Sequence, residues 1–374
     1  MPPNNKIEET TAELLSLADI KINGNRPWDI KILNKKFFSR ALSQGSIGLG
    51  ESYMDGWWET KKLDEFFYRL LSAEIHKKIK ISWPVIKTVI KSKIINRQSK
   101  NRSSAIGEKH YDVGNDLFAK MLGQRMVYTC GYWRHARNLN EAQSAKLDLV
   151  CKKLKLKPGM KILDIGCGWG SFIKFAAKKY AVEAVGITVS KKQAEMGKQL
   201  CHGLTVEIKL QDYRDIEGKF DRIVSLGMFE HVGYKNYRKY MQIANDCLTR
   251  DGLFLLQTIG QNNSAVSGDP WTDKYIFPNG MLPSIQQIGN AIENLFIMED
   301  WHNFRTDYDK TLMAWFANFD KNWNYIKNNY SAKFYRMWKY YLLSCAGAFR
   351  ARNIQLWQIV FSKSGNNKEY VSIR

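Results

Sequence analysis

Asp164-Ile165-Gly166-Cys167-Gly168-Trp169-Gly170 closes the short apolar run that begins at Lys161 and leads directly into Ser171–Tyr180, where apolar residues recur at helical spacing. Alternate glycines let a backbone turn tightly and approach a ligand with no Cβ in the way. In open α/β sheets, the carboxyl end of such a strand is where ligands bind. Working outward, Ala184–Ile187 reads as the next strand and Lys191–Cys201 as the next helix. Val206–Leu210, Phe220–Ser225 and Leu253–Thr258 read as further strands, with a helix across Tyr237–Leu248. Strands alternating with helices predict a parallel, doubly wound α/β sheet.

The heptapeptide fits D-x-G-x-G-x-G and resembles the nucleotide-binding motif of S-adenosylmethionine-dependent methyltransferases, which implies a Rossmann-like sheet. A dinucleotide site is the rival reading, but its spacing is G-x-G-x-x-G. The resemblance makes Asp164, Gly166, Gly168 and Gly170 candidate cofactor residues. An acid that binds ribose hydroxyls is expected about 20 residues further on. The strand there reads Val185-Gly186-Ile187-Thr188-Val189-Ser190 and carries none, so Thr188 and Gln193 are the candidates for those hydrogen bonds. Gln211-Asp212-Tyr213 follows another strand and suits an adenine, Asp212 reaching its amino group and Tyr213 packing on its face. An ordinary strand-end turn is the alternative.

A chain of 374 residues exceeds the usual single-core limit of about 250–300, so two domains are expected. Apolar residues at 44% and charged residues at 25% argue against long disorder. The net charge of +21 points to an anionic partner, either nucleic acid or a membrane surface. Residues 1 to about 75 read as a small mixed unit with helices over Glu8–Leu17 and Asn34–Gln44, the second ended by Gly45. Gly45 to Trp58 is dense in glycine and reads as turns, with Trp57 and Trp58 packing an interface or meeting lipid. Lys77 to Arg102 holds nine Lys/Arg and no Asp/Glu, interleaved with isoleucine and valine. That stretch is either a solvated helix face and linker or a basic amphipathic segment for anionic headgroups. The expected division is an amino-terminal domain at 1–97, a linker at 98–107 and a catalytic domain at 108–374. No stretch approaches the roughly 18 apolar residues that span a bilayer, no apolar leader follows Met1, no C-x-x-C pair occurs and the histidines lack metal-ligand spacing. A cytoplasmic location is expected, with any membrane contact peripheral and on the inner face.

Further blocks are dense in Gly, His, acids and aromatics: His110-Tyr111-Asp112-Val113-Gly114-Asn115, Tyr128-Thr129-Cys130-Gly131-Tyr132-Trp133, Met228-Phe229-Glu230-His231-Val232-Gly233, Pro278-Asn279-Gly280-Met281-Leu282-Pro283 and Asp307-Tyr308-Asp309. With Gly50-Glu51-Ser52-Tyr53-Met54-Asp55-Gly56-Trp57-Trp58 and Cys345-Ala346-Gly347-Ala348-Phe349-Arg350, they resemble the cyclopropane-fatty-acyl-phospholipid synthase family along the whole chain. The smaller, mainly helical amino-terminal domain favours its full-length bacterial branch over the shorter mycolic-acid relatives. The resemblance implies transfer of the sulfonium methyl of S-adenosylmethionine to a cis double bond of a phospholipid acyl chain. Ring closure then needs a proton lost from the added methyl, in a dry site where aromatic faces steady the cation.

For that proton the resemblance implies a bound bicarbonate, caged by Cys130 and Ile259 through their backbone and by Glu230, Gln257 and Tyr308. It also implies Tyr128 and Thr129 as cofactor contacts and a homodimer. Read from sequence alone, Cys130 is equally a small buried hydrophobe. His231 is a structural histidine or a partner of Glu230. Many members carry His where this chain has Gln257. A Gln amide still donates and accepts hydrogen bonds but cannot titrate, so Gln257 is expected to position rather than relay protons. Methyl or methylene branching of the same alkene, a nucleic-acid methyltransferase and a silent lipid-binding protein are the competing readings. An N-P-P-Y-type block is absent, and Glu230 and Tyr308 are intact, so the expected partner is a phospholipid membrane with anionic headgroups and not nucleic acid.

Overall fold

The computed structural model describes residues 3–75 and 114–374. The basic stretch Lys77 to Arg102, the expected linker at 98–107 and His110 to Val113 therefore lie outside the described residues. Two compact units emerge, each discontinuous in sequence. Among the described residues, the first gathers 3–75, Ser267–Phe277 and Tyr308–Ile354; the second gathers 114–266, Pro278–Asp307 and Gln355–Arg374. This cuts across the linear division expected from sequence.

Packing explains why the late helix Ala332–Arg350 joins the first unit. A Cβ on Gly347 would lie 2.6 Å from the Asp64 carbonyl oxygen and 2.7 Å from the Tyr68 nitrogen, so the helix rests almost directly on the backbone of Leu63–Ser72. The Arg350 guanidinium secures the contact, donating to both oxygens of Asp309 at 3.0 Å and to Asp64 at 2.9 Å. The first unit is mainly helical, with helices Pro3–Ser16, Lys36–Gln44, Ser46–Met54 and Leu63–Ser72 and a small antiparallel pair, β1 (Lys31–Ile32) and β2 (Trp58–Glu59). Gly45, at φ +59°, ends Lys36–Gln44 as expected, but the glycine-rich stretch after it is a helix and not a run of turns. Its glycines answer to space: a Cβ on Gly48 would run into the Arg40 carbonyl, and one on Gly50 into the Trp271 ring. Trp58 is fully buried, its indole N–H donating to Leu49 O and Ser52 Oγ, each at 3.1 Å.

The second unit is built on seven strands: β3 (Lys161–Ile165), β4 (Glu183–Thr188), β5 (Val206–Leu210), β6 (Phe220–Leu226), β7 (Leu248–Gln261), β8 (Phe296–Asn303) and β9 (Ile354–Lys363). Their order across the sheet is β5-β4-β3-β6-β7-β9-β8. β3 to β7 are parallel, as the alternation predicts, whereas β8 and β9 pair antiparallel at one edge and were not anticipated. The inner parallel strands β3, β4 and β7 are largely buried and read as near-continuous apolar runs, whereas β5 at the edge buries only Ile208. Along β7, Leu253 and Leu255 enter one core while Phe254 and Leu256 enter the other. Strand order reverses around β3: the chain builds outward to β5, then returns to lay β6 on the other side of β3. Ligands bind at such a switch point, beyond the carboxyl ends of the strands. No helix of the described residues is long and apolar enough to cross a membrane.

Candidate active site

A cavity opens at that switch point, walled by the turn after β3, the segment after β6 and residues 126–129. Tyr128, Thr129, Asp164, Gly166, Gly168, Thr188, Gln193, Asp212 and Tyr213 all line it. Gly166 and Gly168 take φ of +87° and +57°, the left-handed region that favours glycine. A Cβ on Gly166 would lie 2.7 Å from Met228 Cβ, whereas one on Gly168 would meet no protein atom within 4 Å. The chain thus keeps the space over Gly168 open. Gly170 does not line the cavity; it starts the helix Ser171–Tyr180, where a Cβ would press Ile208 at 3.0 Å and Cys201 Sγ at 3.1 Å.

Several of these side chains already hold one another. Thr188 Oγ1 donates to Gln193 Oε1 at 2.9 Å, and Ser190 caps the helix that carries Gln193. Asp212 pairs with the Arg214 guanidinium at 2.9 Å, and that guanidinium lies 4.5 Å from the centre of the Tyr213 ring. Tyr213 also meets Tyr240 edge-on at 5.1 Å, so much of its ring is covered by protein. Asp164 is 2% exposed, and its Oδ1 has no hydrogen-bond partner. Burial pushes its carboxyl up to about 7, against the pull of the Lys146 ammonium. These features fit S-adenosylmethionine: open space over a glycine turn, and an unpartnered buried carboxyl for the methionine ammonium.

Beside the cavity, the segment Gly227 to His231 crosses from β6. Glu230 within it is buried, and its Oε1 accepts from the Ile259 N–H of β7 at 2.7 Å. Its Oε2 has no partner. Burial raises this carboxyl to about 7, with the Ile259 amide pulling the other way. Gln257, two residues before Ile259, is fully buried; its Oε1 accepts from Gln358 Nε2 at 2.9 Å, and its own Nε2 is left without a partner. The structure therefore joins Glu230 to Ile259 and leaves Glu230 Oε2 and the Gln257 amide N–H2 without partners. Cys130 is fully buried, its thiol donating to Gly131 O at 3.1 Å. His231 lines the cavity, and burial lowers its imidazole to about 4, so it is neutral at ordinary pH. Tyr308 belongs to the other compact unit, where its ring lies 4.5 Å from Phe349 and 5.9 Å from Trp315.

Sequence reasoning missed Lys146 and Gln143, from the helix Leu139–Lys153. Both are buried, and both hold Thr129: Gln143 Nε2 donates to its carbonyl at 2.7 Å and Lys146 Nζ to its hydroxyl at 2.9 Å. A signal was present. Leu139, Ala142, Lys146 and Val150 share one helix face, so the lysine occupies a core position, where an unpaired cation is rare.

Comparison with known proteins agrees with this geometry. Residues 98–359 match the family described as mycolic acid cyclopropane synthetase. A cyclopropane-fatty-acyl-phospholipid synthase of Escherichia coli K12 is 53% identical over 355 residues, covering 95% of this chain and 93% of that protein. The structure of a cyclopropane synthase from Mycobacterium tuberculosis superposes with a TM-score of 0.66 at 29% identity, covering 70% of this chain and 98% of that one. A mycolic acid cyclopropane synthase solved with SAH and CTAB gives the same TM-score of 0.66 at 34% identity, again over 70% and 98%.

Proposed function

The chain belongs to the mycolic acid cyclopropane synthetase family, and from this we infer that it carries out the reaction of a cyclopropane-fatty-acyl-phospholipid synthase on cis-unsaturated acyl chains. S-adenosylmethionine, when bound, would supply the electrophilic methyl: the alkene would take it as the S–CH3 bond breaks and S-adenosylhomocysteine leaves, and the resulting cation would close to the ring once the added methyl gives a proton to a base held in the site. Asp164 and the glycine turn at Gly166 and Gly168 would hold the methyl donor, with Val127 to Thr129 forming part of the same cavity's wall.

The observation that carries the reading is Glu230. A buried carboxyl that titrates near 7, fixed at one oxygen by a backbone amide and open at the other, suits proton handling at neutral pH. Bicarbonate, when bound, supplies a proton acceptor small enough to remain inside. Glu230 Oε2 and Gln257 Nε2 are the unpartnered groups fitted to hold it, and a protonated Glu230 faces it without like-charge repulsion. The family likeness alone adds Cys130, Ile259 and Tyr308 to the proposed cage. The Ile259 amide is already given to Glu230, so its part is to orient that carboxyl. We extend the proposal to peripheral association with an anionic membrane at the cytoplasmic face and to a homodimer, both on the strength of the lipid substrate and the family likeness.

The test is to incubate the purified chain with labelled S-adenosylmethionine and liposomes of cis-unsaturated phospholipid, then analyse the fatty-acid methyl esters by mass spectrometry. A product heavier by one methylene that survives mild hydrogenation is expected. A hydrogenatable methylene branch, or label entering nucleic acid and not lipid, would overturn the reading.

A further inference from the structure

Lys146 is fully buried in the middle of a helix and is one of the residues that line the cofactor cavity. Removing an ammonium from water costs several kcal/mol even after relaxation, so an unrewarded lysine here would not persist without compensation. The compensation is specific. Nζ donates to Thr129 Oγ1 at 2.9 Å, and the Asp164 carboxyl faces the same cavity with an oxygen that no protein group satisfies. Gln143, one turn earlier on the helix, takes the Thr129 carbonyl at 2.7 Å. On its remaining side the Thr129 methyl abuts Gly227, where an added Cβ would lie 2.9 Å from Thr129 Cγ2. Thr129 is thus held at its hydroxyl, its carbonyl and its methyl, and it is the cavity-lining residue immediately before Cys130.

We propose that Lys146 is a positioning residue of the cofactor site: its ammonium fixes the Thr129 hydroxyl and provides the counter-charge for Asp164 across the cavity. A zwitterionic amino-acid group on the ligand, such as the methionine end of S-adenosylmethionine, then meets a carboxylate and an oriented hydroxyl that are already set before it enters. Burial lowers the lysine to about 8, with Asp164 and Cys130 drawing it back up, so a charged Lys146 at neutral pH is consistent with the geometry.

The inference rests on the methyl-donor part of the proposed function, and the experiment separates the two. S-adenosylhomocysteine binding is measured by calorimetry for the native chain, Lys146→Met, Thr129→Val, Thr129→Ser and the Lys146→Met/Thr129→Val double variant, with KM for S-adenosylmethionine and kcat alongside. Loss of a hydrogen bond to a charged group predicts roughly 10- to 100-fold weaker binding in Lys146→Met, seen as a raised KM with kcat nearly unchanged. Thr129→Val should weaken binding comparably, Thr129→Ser should bind as the native chain does, and the double variant should be no worse than the poorer single one. Native affinity in a folded Lys146→Met, or penalties that simply add, would overturn the proposal. If Lys146→Met does not fold, the threonine pair decides: equal binding by the valine and serine variants overturns it. A native chain that binds S-adenosylhomocysteine but makes no cyclopropane would sink the proposed reaction and leave this inference standing.

Discussion

The Glu230 carboxyl ionises near pH 7 in the folded chain, against 4.5 for a solvated glutamate. Below that lower value it is protonated in both folded and unfolded states. Between the two values only the folded chain keeps the proton, so stability falls as pH rises across this window and levels off above it. Integrated over the shift, the cost is on the order of 3 kcal/mol at high pH. Glu230→Gln keeps an oxygen for the Ile259 N–H and removes the buried charge. The variant should therefore exceed the native chain in urea-denaturation stability at pH 8 and match it near pH 4.5, while cyclopropane formation drops by at least about a hundredfold. An unchanged stability gap at the two pH values would mean that Oε2 is solvated and the proposed role is wrong. Glu230 was legible in sequence because it stands in a distinctive aromatic and glycine block. Lys146 was legible only as a buried lysine on an apolar stripe, because its role depends on which wall of the cavity its helix faces, and that is set by the tertiary fold.

At the scale of elements, periodicity carried the parallel strands because the inner ones are largely buried and read as apolar runs, while the edge strand β5 buries only Ile208. β8 failed the same reading: Phe296–Asn303 mixes acids, His302 and Asn303 with its apolar residues, and its register with β9 shifts between Met298 and Asp300. The helix Ser46–Met54 failed for the opposite reason, since glycine normally breaks helices and only the tertiary neighbours of Gly48 and Gly50 explain it. Gly347 turns this into a measurement. Replacing an interior helix glycine by alanine ordinarily stabilises by about 1 kcal/mol. At Gly347 the new methyl would meet backbone atoms of Asp64 and Tyr68, which cannot rotate away, and overpacking of this kind costs about 1–3 kcal/mol. Gly347→Ala should lower the urea midpoint of the first unit, followed by the fluorescence of its tryptophans; a raised midpoint would show that the two helices separate at no cost.

At the scale of the whole molecule, the two units weave through the sequence, so a boundary drawn where composition changes could not find them. The late helices of the first unit reach it through contacts such as Arg350 with Asp64, which no local pattern announces. The charge of +21 is a property of the entire chain, and the fold alone does not say what it is for. Many described cations are spent internally: Arg40, Arg336 and Lys274 all pair with acids of the first unit. Lys77 to Arg102, outside the described residues, has no acid in its own stretch to spend its charge on. A lipid-modifying enzyme has a use for such a segment at an anionic surface, where each lysine contributes about 1 kcal/mol. Replacing Lys77, Lys78, Lys80, Lys87 and Lys91 by glutamine should therefore weaken binding to vesicles containing anionic lipid by more than about a hundredfold at low salt. The native chain should lose affinity steeply as salt rises, because screening shortens the reach of these charges, and the variant should not. Vesicle co-sedimentation at two salt concentrations reads both effects. Equal affinity of the two chains would mean that the segment does not meet the membrane, and turnover of detergent-dispersed phospholipid should be the same for both if the segment serves only to bring the enzyme to its surface.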